Sequence, residues 1–282
     1  MLCINMKADI NHIIARIEEL PSFSESVKKI IALFNKGEVD VKNLEWILAQ
    51  DAGISTQVLR IANSPFFGFG SQVNSIKDAC MILGLPSVYN LVTAAAILDR
   101  FPGEENSVIN YNDFWLHSIA VAIATKDIMA KANKTSDSAF LSGLVHDVGK
   151  LVMDMYFKEE YLKIIHYQKN FQCPMFEAEK AVMNIDHAEL GAILLESWKF
   201  PIEIVSITKN HHQLNIEEHL DVSYSLHLAN ILVKGLNIGD SDGNHISSMS
   251  PKALSYLDLS WDDLSSLLPD IEKHVKDNEV LS

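Results

Sequence analysis

Apolar residues recur along most of the chain at intervals of three and four, the spacing of residues that share one face of an α-helix. In the segment 9–20 this pattern is formed by Ile10, Ile13, Ile14 and Ile17. Further segments with the same period follow one another into the C-terminal region. Alternation of β-branched and polar residues, which marks a half-buried strand, is scarce. The pattern therefore predicts an all-α fold.

A polar break, "PGEENSVINYN" at 102–112, interrupts this helical pattern. It combines Pro, Gly, Asn and Ser between two long apolar segments, as a linker does. We therefore expect two packed helical lobes, an N-terminal helical bundle over 1–105 and a second lobe over 106–282. Within the second lobe, Pro251 and the pair Ser260 and Asp263 predict helix starts, by proline in the first turn and by a capping box.

Composition narrows the class of protein. Apolar residues make up 48% of the chain, which is enough for a substantial core, and the net charge of −14 opposes non-specific binding to nucleic acid. The N-terminal segment lacks the basic start of a signal peptide, and no apolar run reaches the ~18 residues of a membrane span. The three cysteines are far apart and odd in number, which favours a reducing compartment. We expect a cytoplasmic protein that binds neither nucleic acid nor membrane.

The second half carries several histidines within otherwise apolar helical segments. In "GLVHDVGKL" a His-Asp pair is followed by Gly149, which predicts a helix end there. Each histidine alone has an ordinary explanation: a hydrogen-bonded core residue, a helix cap or a solvated helix end. Neutral imidazoles with one carboxylate suit iron, manganese, zinc, nickel or cobalt, and they do not suit calcium. The candidates are His117, His146, Asp147, His187, His211 and His212.

The order of these residues resembles the HD superfamily of metal-dependent phosphohydrolases, and within it the HDOD branch. HDOD stands for HD-related output domain, and its members are bacterial all-α signalling proteins. The similarity covers almost the whole chain. It includes "ILAQDAGISTQVLRIANSPFFGF" at 47–69, "LSGLVHDVGKL" at 141–151 and "DHAELGAILLESWKFP" at 186–201. One departure is Ala52, because the family usually has Pro at this point.

The resemblance implies an HD-like second lobe that binds one or two divalent metal ions, or an empty site in a degraded member. Asp147, the only anion among the matching positions, would bridge the ions. Lys150 resembles a residue that steadies a substrate phosphate; otherwise it is an ordinary solvated lysine. Asp113, one turn before His117, is a weaker candidate ligand. The implied ligands are His117, His146, Asp147, His187, His211 and His212, and the implied catalytic residues are Asp147 and Lys150.

Two departures from the HD pattern lie towards the C-terminus. Asn230 stands where HD proteins have a final Asp ligand, and His227 lies three residues earlier on the same helix face. The run after His212, "QLNIEEHLDVS", lacks the Gly-Tyr-Pro signature of the HD-GYP cyclic di-GMP phosphodiesterases. We therefore do not expect hydrolysis of cyclic di-GMP.

Two classes of function are compatible with these residues. The resemblance favours a bacterial signal-transduction output module that contacts a signalling protein in trans and keeps an intact or partly degraded metal site. The alternative is a metal-dependent phosphohydrolase, in which a water molecule activated by the metal attacks a phosphoester. The missing final Asp weighs against the enzyme. The oligomeric state and the substrate stay open.

Overall fold

The computed structural model describes residues 15–17, 20, 22–63, 72–103, 105–214, 217–239 and 246–276. These residues form helices and no strand, so the all-α prediction is confirmed. The segment 9–20 and the Gly-rich break after Asn63 lie mostly outside the described residues. The helices are α1 Glu25–Asn35, α2 Val41–Leu48, α3 Ala52–Ala62, α4 Ile76–Leu83, α5 Leu85–Arg100, α6 Tyr111–Lys131, α7 Ala139–Val145, α8 Val148–Tyr156, α9 Lys158–Phe171, α10 Met175–Met183, α11 His187–Ser197, α12 Ile202–Asn210, α13 Leu220–Gly235, α14 Pro251–Leu257, α15 Trp261–Ser265 and α16 Leu268–Lys276.

Short polar side chains begin many of these helices. Each accepts a hydrogen bond from a backbone N–H of the first turn, which has no partner within the helix. Both predicted starts near the C-terminus are confirmed, with Pro251 in the first turn of α14 and a capping box at α15. Ala52 is the first residue of α3, a position where Pro is also favoured. The capping residues of α1 to α4 are Ser24, Asp40, Asp51 and Ser75.

No helix crosses the predicted boundary, because α5 ends at Arg100 and α6 begins at Tyr111. The two sides nevertheless pack together. The rings of Phe23 and Trp198 have centroids 4.4 Å apart, and one cluster of buried apolar side chains includes residues from 17 to 205. A domain boundary near residue 105 therefore stays a prediction. None of the described helices combines the length and the apolarity that a membrane crossing requires.

Glycines allow helices in the second half of the chain to approach closely. A Cβ on Gly143 in α7 would lie 2.5 Å from the Cα of Ala122 in α6. A Cβ on Gly149 would lie 2.0 Å from the carbonyl oxygen of His187, so α8 and α11 meet backbone to backbone. The prediction that Gly149 marks a helix end is wrong. The helix ends earlier, at Val145, and Gly149 lies in the first turn of α8, where close packing requires it.

Candidate metal centre

The pair His146 and Asp147 lies at the junction of two helices. His146 follows the last residue of α7, and Asp147 precedes the first residue of α8 without capping it through its side chain. This break lets two neighbours in sequence converge, so that Nε2 of His146 lies 3.3 Å from Oδ2 of Asp147. On a continuous helix, adjacent side chains point in different directions. The junction therefore explains how an adjacent pair serves one site.

Three histidines present an unpaired Nε2 to this site. Nδ1 of His146 lies 2.7 Å from the carbonyl oxygen of Gly143, and Nδ1 of His211 lies 2.7 Å from that of Thr208. A carbonyl only accepts, so each Nδ1 carries a proton, and in the neutral form of either ring Nε2 keeps a lone pair. Nε2 of His117 is likewise buried, and none of the three has a hydrogen-bond partner among the described residues. Leaving such atoms unpaired costs about 1–3 kcal/mol each, which a bound cation would offset.

Asp147 lies between two groups of histidines. Its Oδ2 is 3.3 Å from Nε2 of His146 and 4.0 Å from Nε2 of His117. Its Oδ1 is 3.0 Å from Nε2 of His187 and 3.6 Å from Nε2 of His211. One carboxylate oxygen thus faces each group, the arrangement expected of a bridging ligand between two ions. Within each group the donor atoms lie within 4.8 Å of one another; the groups are His117, His146 and Asp147, and His187, His211 and His212.

Lys150 is fully buried, and its ammonium Nζ lies 2.7 Å from Oδ2 of Asp147, one turn along α8. The alternative that Lys150 is solvated is therefore wrong. Burial alone would raise the pKa of Asp147, but its electrostatic interactions with His146, Lys150 and His187 outweigh burial and hold that pKa well below its usual value. Asp147 is thus an ionised carboxylate, as a ligand must be. A contact of Lys150 with a substrate phosphate stays a prediction.

Burial keeps most of the imidazoles neutral, which is the state that binds metal. It lowers the pKa of His117 to about 3 and that of His211 to about 4, and it holds the pKa of His212 well below its usual value. His187 differs. Burial lowers its pKa, but the charge of Glu179 outweighs burial, and the pKa rises to about 10. Metal uptake by the second group therefore has to displace a proton from His187.

Glu179 contacts a candidate ligand, His187, and the sequence interpretation missed it. It is fully buried in α10, and its carboxylate oxygens lie 2.7 and 2.8 Å from Nδ1 of His187. The same carboxylate also accepts a hydrogen bond from the backbone N–H of His187. A carboxylate on the far nitrogen orients a ligating histidine and makes it more basic. One signal was available, since Glu179 lies on the same helix face as the apolar Met175 and Met183.

We expect Glu179→Gln to weaken metal binding by about 10- to 100-fold, the usual effect of losing a carboxylate that supports a ligand. Glutamine keeps the size of the side chain but removes the charge that holds the His187 ring. Competition with a chromophoric chelator measures the affinity. Glu196→Gln, at an exposed position near the end of α11, is the matched control and should not change it. Equal affinities for the two variants would contradict this role.

Three further positions singled out from the sequence, Asp113, His227 and Asn230, lie outside the two groups of clustered donors found among the described residues. Asp113 is half-buried in the first turn of α6 and does not belong to either group of clustered donors found among the described residues. His227 uses its Nε2 to accept a hydrogen bond from the backbone N–H of Ser250, at 3.2 Å, and so holds the start of α14. The Oδ1 of Asn230 is buried and lacks a hydrogen-bond partner in the described part of the chain.

A cleft of about 430 Å³ opens beside the second group of histidines. His211 and His212 belong to its lining, and α13 supplies one wall. The ring of Phe176, at the start of α10, stacks on His212 with centroids 4.6 Å apart. The site is therefore accessible on the side of His211 and His212, whereas His117 and His146 are fully buried.

Two curated relatives match the chain. An uncharacterized protein of Treponema pallidum (strain Nichols) is 24% identical over 244 residues, which cover 85% of this chain and 46% of the relative. The cyclic-di-AMP phosphodiesterase PgpH of Bacillus subtilis (strain 168) is 28% identical over 163 residues, which cover 57% of this chain and 20% of that protein. The chain thus spans less than half the length of each of these relatives.

Solved structures share the fold. An HDOD domain protein from Geobacter sulfurreducens superimposes with a TM-score of 0.75 at 21% identity, covering 95% of this chain and 98% of its own. A candidate signal transduction protein from Marinobacter aquaeolei VT8 gives 0.80 at 19% identity, covering 96% of this chain and 64% of its own. A candidate phosphohydrolase from Shewanella amazonensis SB2B gives 0.75 at 23% identity, covering 96% of this chain and 98% of its own.

The HDOD domain model matches residues 20–214, a range that covers more than half of the chain and contains all six clustered histidine and aspartate positions. The helical fold, the junction at His146 and Asp147, and the similar solved structures agree with this match. This chain belongs to the HDOD domain family.

Proposed function

We propose that this chain is a signal-transduction module of the HDOD type that retains a divalent-metal centre at Asp147. The observation that carries the proposal is the set of buried Nε2 atoms without partners, on His117, His146 and His211, arranged around one ionised carboxylate. Separate hydrogen bonds would be needed to stabilise these atoms one by one. Cations shared through Asp147 stabilise them together.

The donor set fits one or two transition-metal ions. Imidazole nitrogens predominate, and the group between them is a carboxylate, a set of residues that would suit iron, manganese, zinc, nickel or cobalt. His117 and His146 would hold one ion together with Oδ2 of Asp147. The second group of histidines would hold another ion together with Oδ1 of Asp147. That group is His187, His211 and His212. A divalent ion bound here would supply a Lewis acid that polarises a phosphoryl oxygen. Burial in the chain keeps His117, His211 and His212 neutral, and Lys150 holds Asp147 in place.

The output role needs a signalling protein in trans. The ligands come from α6, the α7–α8 junction, α11 and the end of α12, so bound ions would fix the relative positions of four segments. Metal occupancy then offers a way to change the helical surface that a partner contacts. The likeness to a candidate signal transduction protein supports this part of the proposal.

Metal uptake by the chelator-treated protein tests the proposal. Manganese, zinc and anaerobic ferrous iron are added in turn, and bound metal is measured by calorimetry and by elemental analysis after desalting. We expect up to two ions per chain and a higher unfolding temperature, since a ligand at 100 times its Kd stabilises a protein by about 2.7 kcal/mol. His211→Gln should reduce uptake, whereas His166→Gln, at an exposed position in α9, should not. Absence of uptake by the parent protein would refute the proposal.

Asn230→Asp is expected to tighten metal binding by about tenfold, or about 1.4 kcal/mol, because it places a carboxylate beside His211 and His212. The buried Oδ1 of Asn230 lacks a hydrogen-bond partner among the described residues. A carboxylate oxygen at this position would therefore be able to act as a stronger metal ligand without breaking a hydrogen bond of Oδ1. Asn237→Asp adds the same charge at an exposed position just after α13 and serves as the control. If both variants bind metal with the affinity of the parent protein, position 230 does not contact the ions.

A metal-dependent phosphohydrolase is the second candidate, and the cleft against His211 and His212 favours it. Turnover is tested with the metal-loaded protein on p-nitrophenyl phosphate, bis(p-nitrophenyl) phosphate, cyclic di-AMP and cyclic di-GMP. Metal-dependent rates of ~1 s⁻¹ or more on one of the first three substrates would support an enzyme. We expect no turnover of cyclic di-GMP, because the Gly-Tyr-Pro signature is missing after His212. Rapid cleavage of that compound would contradict the interpretation.

A further inference from the structure

The three imidazoles with an unpaired Nε2 differ in how their other ring nitrogen is held. Nδ1 of His146 and Nδ1 of His211 each bond to a carbonyl three residues earlier in the chain. Nδ1 of His117 instead lies 3.4 Å from the carbonyl oxygen of Ile238, which is 121 positions away in sequence. A carbonyl only accepts, so Nδ1 of His117 is the donor. The orientation of His117 therefore depends on a distant segment, whereas the other two rings are held locally.

Ile238 lies in the turn that ends α13, and local contacts fix this turn. The backbone N–H of Ile238 donates to the carbonyl oxygen of Val233 at 3.2 Å, the bond that closes a Schellman motif at a helix C-terminus. The side chains of both residues are buried in the same apolar cluster, and an apolar contact between these two positions often accompanies the motif. The end of α13 thus sets the direction of the Ile238 carbonyl.

Gly239 allows this turn to lie directly against α6. Its φ of +64° is in the left-handed region, which favours glycine. A Cβ at this position would lie 2.2 Å from the carbonyl oxygen of Asp113, 2.8 Å from the backbone nitrogen of His117 and 2.9 Å from the Cβ of His117. The backbone of the turn therefore meets α6 at the residue that carries the imidazole, and a side chain at position 239 would push the turn away.

We propose that the carbonyl of Ile238, held against α6 by Gly239, is the positioning group of His117 and sets the metal affinity of the donors His117, His146 and Asp147. This inference rests on the proposed metal centre and extends it, because it makes one half of that centre depend on the C-terminal end of α13. A partner on the far nitrogen fixes the ring of a ligating histidine and leaves Nε2 free for the ion. Losing such a partner usually weakens metal binding by about 10- to 100-fold.

Gly239→Ala tests the assignment in the full chain labelled with ¹⁵N-histidine, with zinc as the probe. The imidazole signals are followed by NMR and assigned with His117→Gln and His211→Gln. We expect His117 of the variant to respond to zinc only at concentrations at least tenfold higher than in the parent protein. The response of His211 should stay within a few-fold, because the carbonyl that holds its ring belongs to its own helix.

Gly37→Ala is the matched control. Gly37 follows the end of α1 with φ +69°, so alanine meets the same backbone strain as at position 239. A Cβ at Gly37 would meet no atom within 4 Å, so this substitution adds no close contact. The control should bind zinc like the parent protein.

The ring of His117 in the metal-free parent protein gives a second measurement, which does not require that the variant folds. Its ¹⁵N signals should show a proton on Nδ1 and none on Nε2, because the Ile238 carbonyl selects this tautomer. In Gly239→Ala the signals should become those of a ring with mixed tautomers. A glycine needed only for stability would leave the tautomer unchanged.

The outcomes separate this inference from the metal centre. If the parent protein takes up no divalent metal, the proposed function fails and the inference fails with it. If metal is bound but His117 of the metal-free parent carries its proton on Nε2, the inference is overturned and the metal centre stands. The same conclusion follows if Gly239→Ala binds zinc at His117 as tightly as the parent protein. An equal loss at His117 and His211 would also overturn the inference, because the substitution would then act on the whole fold.

Discussion

Replacing Asp147 by alanine is expected to reduce bound metal to background at both groups of histidines. Each carboxylate oxygen faces one group, with Oδ2 3.3 Å from His146 and Oδ1 3.0 Å from His187. Asp147 is also the only anion in either group of clustered donors among the described residues. Its loss leaves two cations to be held by neutral imidazoles alone. Elemental analysis after metal loading and desalting gives the result directly.

The same substitution also affects folding, because Asp147 is paired with the fully buried Lys150. Removing one partner of a buried ion pair costs about 3–5 kcal/mol, since the other charge is left uncompensated. The double variant Asp147→Ala, Lys150→Met removes both charges and should recover most of this stability in urea unfolding with chelator present. It should still bind no metal. If the double variant binds ions like the parent protein, Asp147 is not a ligand.

Gly149→Ala is expected to destabilise the protein by about 3 kcal/mol or more, the upper range for overpacking a tight core. The new Cβ would lie 2.0 Å from the carbonyl oxygen of His187 and 2.7 Å from the backbone nitrogen of Gly191. Both neighbours are backbone atoms, so no change of rotamer relieves the contact and α8 must move away from α11. This movement separates Asp147 from His187, so metal affinity should fall as well.

Gly235→Ala is the matched control for this prediction. Gly235 is the last residue of α13, and a Cβ there would meet no atom within 4 Å. Alanine favours helix over glycine by up to about 1 kcal/mol, so the control should be unchanged or slightly more stable. Urea unfolding and metal titration are compared for the two variants. A Gly149→Ala protein with the parent's unfolding midpoint and metal affinity would show that the two helices can separate at little cost.

The sequence by itself was sufficient for the fold class and for much of the local structure. The apolar spacing of three and four predicts helices because only that period places apolar residues on one buried face. Helix starts at Pro251 and at Ser260 were predictable because capping is a contact between near neighbours in the chain. The six histidine and aspartate positions stood out because such residues are costly within apolar segments.

Only the tertiary structure decided how these positions meet and what supports them. The burial of Lys150 against Asp147 and the contact of Glu179 with His187 depend on the packing of α8, α10 and α11. The role of Gly149 was misjudged because its neighbour is a backbone 38 positions away in sequence, at His187. A hydrophobic period identifies which face of a helix is buried. It does not specify the partner helix or the distance of approach, which follow from the packing of the whole chain.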